Sequence, residues 1–106
     1  MTTFDDREKA EEARYKHDQD FQFKVMARRN KLLGLWAAEQ MGMATAEAEA
    51  YAKDVVISDF DEPGDDDVLR KVLGDLTKNG VTCDQHSLRH EMDRLLAVAT
   101  EQVKAD

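Results

Sequence analysis

The chain has 106 residues, 15 basic and 23 acidic, for a formal net charge of −8, and 42% of its residues are hydrophobic. That length holds one domain with a modest core, and the acidic excess argues against nucleic acid or an anionic membrane as a partner, since either is bound through a surplus of Lys and Arg. A lone Cys83, no signal-like apolar run in residues 1–20 and no stretch near the ~18 apolar residues of a membrane span together point to a soluble, cytoplasmic protein with no direct membrane insertion.

The charge is unevenly placed. Residues 1–20 carry seven acids (Asp5, Asp6, Glu8, Glu11, Glu12, Asp18, Asp20) against four bases (Arg7, Lys9, Arg14, Lys16). Residues 59–67 carry six acids (Asp59, Asp61, Glu62, Asp65, Asp66, Asp67) and no base, and the rest of the chain is nearly balanced. With one Pro, few Gly and many Ala, Glu, Lys and Leu, the composition predicts an all-α fold, a compact bundle of about four helices.

The first 20 residues contain no Leu, Ile or Val, and their only large apolar groups are Met1, Phe4 and Tyr15. They cannot supply a core. Asp5 with Lys9 and Glu12 with Lys16 nevertheless place acid before base at i, i+4, and Glu11 with Arg14 adds an i, i+3 pair, each worth a few tenths of a kcal/mol. Thr2 or Thr3 can cap the start. The expectation is a flexible, conditionally helical arm over residues 1–20 that orders under a partner, followed by a helical bundle domain over residues 21–106.

From Phe21 to Met41, Phe21, Val25, Leu32, Leu35 and Trp36 fall on one stripe, with Met26 and Leu33 on its flank. Gly42 is the expected stop, and Thr45 the expected cap of a second helix with Ala48, Tyr51, Ala52, Val55, Val56 and Phe60 on its apolar face. That helix should end before Pro63-Gly64. Asp65, Asp66 or Asp67 then caps a third helix with Val68, Leu69, Val72, Leu73 and Leu76 inward and Gly80 at its end. Thr82 and Gln85 have capping-box spacing for a last helix, whose stripe is Leu88, Met92, Leu95, Ala99 and Val103.

Two arginines interrupt the core-facing stripe of the Phe21 to Met41 helix. Arg28 and Arg29 lie inside or beside it, so either their stems pack while their heads reach water, or they hold an acidic neighbour such as the Asp59 to Asp67 turn or a partner protein. With Lys31 they also form a basic cluster that could meet a nucleotide phosphate. Cys83, His86, His90 and Asp93 share one face of the last helix, but one helix rarely supplies more than two or three ligands to an ion, so a solvated polar face is the expectation and no metal or other cofactor is assigned. Asp59, Asp61 and Gly64 match three positions of a calcium loop, but Pro63 and Arg70 stand where the fifth and twelfth positions need ligands. There is no Gly-rich phosphate loop and no nucleophile paired with a base, so the chain does not read as an enzyme.

The opening Met1-Thr2-Thr3-Phe4-Asp5-Asp6-Arg7-Glu8, the His17-Asp18 pair, the run Ala27 to Gly34 followed by Trp36-Ala37-Ala38, and the Ser58-Asp59-Phe60 and Glu62-Pro63-Gly64 segments resemble the zeta subunit of alphaproteobacterial F-type ATP synthases. The resemblance covers nearly the whole chain and is weakest in the last helix. It implies an all-helical inhibitor of ATP hydrolysis, peripheral to the membrane-bound synthase. Its partners would be the catalytic alpha and beta subunits and the central rotor shaft. Carried over by position, the inhibitory stretch is Thr3 to about Asp18. Its expected contacts are Thr3, Phe4, Asp5, Asp6, Arg7, Glu8, Lys9, Glu11, Glu12, Arg14, Tyr15 and Lys16. The rival readings are a cytoplasmic adaptor using the same arm, and a nucleotide-sensing regulator using Arg28, Arg29 and Lys31.

Overall fold

A computed structural model describes the backbone of residues 2–61 and 64–106, and the side chains of residues 18–60 and 64–106. The described residues form four helices, α1 (Thr2–Gln40), α2 (Thr45–Asp61), α3 (Asp65–Lys78) and α4 (Gln85–Ala105), and contain no strand. The side chains of Thr2 and Thr3, expected as caps, and the Pro63 break lie outside the described part of the chain.

Two of the helix ends are set by glycine. Gly42 and Gly80 sit at φ +74° and +76°, a conformation that a Cβ penalises. The amides that follow turn back onto the helix: Met43 N donates to Ala38 O, and Val81 N to Leu76 O. Gly42 N and Gly80 N donate to Glu39 O and Thr77 O, which completes the same two-bond cap at both ends.

The start signals are less faithful to the sequence. Gly64 rather than an aspartate occupies the N-cap of α3, and no side chain caps there. Asp65, Asp66 and Asp67 instead form the first turn, where the helix dipole favours their charge. α4 is capped by Asp84, whose carboxylate accepts from Ser87 N at 2.7 Å, and not by the Thr82 and Gln85 pair. The Ser87 amide holds the Asp84 carboxyl below the usual carboxylate range, and Arg89 does the same for Asp66 across the α3 to α4 gap. A depressed folded-state pKa stabilises fully above the unfolded value near pH 4, and that contribution is lost as pH falls through the folded value. The stability gap between wild type and Asp84→Ala is therefore expected to shrink when urea titrations are moved from about pH 6 to about pH 2.5. A gap independent of pH would show that the cap does not depend on its charge.

The core is built from Val25, Leu33, Ala37 and Ala38 of α1, Tyr51, Ala52 and Val55 of α2, Val68, Leu69, Val72 and Leu76 of α3, and Leu88, Met92, Leu95 and Ala99 of α4. The α3 and α4 stripes follow their sequence periods. α1 does not. Leu32, Leu35 and Trp36 are only half-buried, and the innermost positions are Arg29, Asn30, Leu33, Gly34, Ala37 and Ala38. Apart from Val25, which is buried as expected, the buried stripe lies roughly 150° round the helix from the one read off the large side chains. The cause is close approach: Gly34 lies directly against Ala52, so the smallest residues face α2 while the larger ones cover the flanks. Phe60, expected to point inward, is more than half exposed.

Two polar contacts tie α2 to α3. Tyr51 Oη donates to Asp75 Oδ2 at 2.8 Å, and Lys71 Nζ reaches the same oxygen at 3.2 Å while lying 5.5 Å from the centre of the Tyr51 ring. Burial, with the Asp75 carboxylate beside it, pushes the Tyr51 phenol well above its ordinary range, so it remains a donor.

Candidate partner-binding site

The distinctive region is the end of the bundle where α1 leaves it. Asp18, Gln19, Asp20, Gln22, Phe23 and Lys24 are exposed, and Val25 is the first buried residue of the described stretch. Over residues 18–24 α1 is largely uncovered, the exceptions being the part-buried Phe21 and the contact of Phe23 with Phe60 of α2.

A polar lock fixes the place of exit. Arg29 and Asn30 are each only 1% exposed. Arg29 Nε donates to Asn30 Oδ1 at 2.9 Å, and its Nη2 donates to Asp65 Oδ1 at 2.9 Å. Asn30 Nδ2 in turn donates to Asp59 Oδ2 at 2.8 Å, and Gly64 N lies 3.4 Å from Asp59 Oδ1. Two adjacent residues of α1 thus hold both ends of the acidic turn. Asp66 pairs with Arg89 at 2.6 Å and Asp67 with Arg70. Much of the charge on this segment is therefore matched within the chain, and the turn is a structural clamp as well as an acidic surface.

Arg28, Arg29 and Lys31 diverge. Arg28 reaches the far end of α4, with Nη1 donating to Gln102 Oε1 at 3.0 Å and Nη2 meeting Asp106 Oδ2 at 2.8 Å. Arg29 turns inward to Asp65. Lys31 is exposed and lines a separate groove with Leu35, Glu49, Ala52, Lys53 and Val56. Of the two readings of the arginines, Arg29 follows the acidic-neighbour one and Arg28 sits part-exposed on α4. Asn30, the residue that couples Arg29 to Asp59, had no signal in the sequence beyond a polar residue next to a core stripe.

Above the lock lies an apolar cleft between α1 and α2. Its volume is about 280 Å³, and it is lined by Phe23, Met26, Ala27, Val56 and Phe60, with Asn30 and Asp59 at one end. The Phe23 and Phe60 rings are 5.3 Å apart and tilted by 51°. The period of α1 gave no reason to mark Phe23.

The expected arm contacts from Thr3 to Lys16 lie outside the residues whose side chains are described. Burial pushes the Cys83 thiol up, and His86 and His90 are exposed. Among the described residues no three His, Cys, Asp or Glu side chains converge on a metal position, and no helix is long and apolar enough to cross a membrane.

A family model described as ATPase inhibitor subunit zeta matches residues 1–102. A structure solved by solution NMR is 49% identical to the chain, covers 79% of it and 95% of its own length, and superposes with a TM-score of 0.70. No curated protein sequence matches.

Proposed function

The chain belongs to the ATPase inhibitor subunit zeta family, and from that premise we propose that it binds the catalytic head of F-type ATP synthase and blocks ATP hydrolysis through residues 3–18. The observation that supports the reading is where the bundle begins on α1: Val25 is the first buried residue described, and Asp18, Gln19, Asp20, Gln22, Phe23 and Lys24 before it are exposed.

The mechanism follows from the composition of that segment. It has charge pairs at helical spacing but no apolar stripe with which to pack on its own bundle. Its order is gained in the groove of a partner. Phe4 and Tyr15 serve as anchors between the alpha and beta subunits, with Arg7 and Arg14 as the charged contacts, because aromatics and Arg dominate binding energy at interfaces. Asp5, Asp6, Glu8, Lys9, Glu11, Glu12 and Lys16 meet the polar walls around them, and Thr3 starts the segment. A helix wedged between a catalytic interface and the central shaft obstructs rotation in the hydrolytic direction. The protein sits peripherally on the membrane-bound synthase.

Deleting residues 1–18 is expected to abolish inhibition of ATP hydrolysis by the isolated catalytic head and to leave the thermal melting of the bundle unchanged, since the described core begins at Val25. Retained inhibition by the truncated chain overturns the reading.

A further inference from the structure

Asn79 and Gly80 close α3 and form the one Asn-Gly pair in the chain. That pair is the dipeptide most open to spontaneous deamidation, because a glycine has no Cβ to shield its nitrogen when it turns on the preceding side chain. The other asparagine, Asn30, precedes Lys31, which carries that shield. In the reaction the Gly80 nitrogen, its proton given up to a solvent base, attacks Asn79 Cγ. The bond from Cγ to Nδ2 breaks, ammonia leaves with a proton regained from solvent, and a succinimide ring remains. Water then opens the ring at either carbonyl. The product is an aspartate in the ordinary chain, or an isoaspartate whose backbone runs through Cβ and Cγ. Water is taken up and ammonia released, with no oxidant or reductant involved.

Access does not oppose this step, since Asn79 and Gly80 are both exposed. The helix cap does. Ring closure needs Cβ of Asn79 and the nitrogen of Gly80 on the same side of the Asn79 Cα–C bond, and at the observed ψ of 13° they stand on nearly opposite sides. Both reacting groups are also engaged. Gly80 N donates to Thr77 O at 3.0 Å, and Asn79 Nδ2 donates to Asp75 O at 2.8 Å, which holds the side-chain amide back along α3. Attack therefore requires both bonds to break and ψ to swing round.

Once formed, the product does not rebuild the cap. A carboxylate at position 79 has no amide proton for Asp75 O, and it puts negative charge among the carbonyls of Asp75, Leu76 and Thr77, at the negative end of the helix dipole. Isoaspartate also lengthens the backbone ahead of Gly80 and displaces the amides of Gly80 and Val81 from Thr77 O and Leu76 O. Leu76 is fully buried, so the disturbance reaches the core.

We propose that Asn79–Gly80 is a deamidation site gated by the C-terminal cap of α3: inert while the bundle is closed, converted by water when the cap opens, and weakening the bundle once converted.

The test incubates the full chain at one mildly alkaline pH, folded or in guanidinium chloride, and follows the peptide carrying Asn79 by mass spectrometry with isoaspartate resolved by chromatography. Conversion is expected to be at least about tenfold slower in the folded chain, since the opening free energy multiplies the barrier. In the unfolded chain Asn79 should convert well ahead of Asn30. Equal rates in the folded and unfolded chain overturn the gate. An Asn79 that in denaturant stays intact, or converts no faster than Asn30, overturns the site. The consequence is read on Asn79→Asp, which is expected to lower Tm by about 4 °C. An unchanged Tm overturns the claim that conversion weakens the bundle.

Discussion

Gly34→Ala is expected to destabilise the bundle by about 2 kcal/mol, although alanine is the better helix former by about 1 kcal/mol. A Cβ at Gly34 would stand 2.5 Å from Ala52 Cα, 3.1 Å from its Cβ and 3.3 Å from its N. The obstruction is backbone, so no rotamer relieves it, and α1 and α2 must separate along their shared face. That separation loosens Leu33, Ala37 and Val55, all fully buried beside the contact. The same change at Gly74 of α3, where nothing lies within 4 Å of the added carbon, is expected to stabilise by about 0.5–1 kcal/mol. Urea denaturation of the two variants checks the sign. Equal effects at both positions would mean that the close crossing of α1 and α2 does not exist in solution.

The second large effect concerns the buried arginine. Asp65→Ala is expected to lower stability by about 3 kcal/mol, because it strands a guanidinium that is almost wholly removed from water. Arg29→Met should cost less, about 1–2 kcal/mol: methionine keeps much of the volume, the Asp65 side chain is 48% exposed and regains water, and the chief loss is the donor to Asn30 Oδ1. The double variant should fall well short of the sum, since each single change already breaks the pair. A double-mutant cycle in urea measures this. If Asp65→Ala proves milder than Arg29→Met, the asymmetry of burial is not what governs the lock.

These two sites bear differently on what could be read in advance. The acidic run from Asp59 to Asp67 and the arginines inside the α1 stripe were both visible in the sequence, as was the idea that one might answer the other. Which arginine and which acid was not. Arg28 and Arg29 differ by one position, and the choice depends on which face of α1 is innermost. Reading Phe21, Leu32 and Trp36 as that face placed both arginines at its edges. The structure puts Leu33 and Gly34 at the centre, and Arg29, one turn earlier, lies in line with Leu33.

The helix stops at Gly42 and Gly80, the apolar faces of α3 and α4 and the absence of a core-forming residue in the first 20 positions were determined by the sequence itself. Each of these acts over a few residues: a positive φ, a 3.6-residue period, a missing apolar side chain. The segment proposed to act on a partner is marked in the sequence by the same kind of local lack. Only the tertiary structure decided the rotation of α1, the Arg29–Asn30–Asp59–Asp65 lock and the outward turn of Phe60 beside Phe23. These follow from the closest approach between two helices, and that distance is fixed by the pairing of Gly34 with Ala52, 18 residues apart, which no window of local sequence contains.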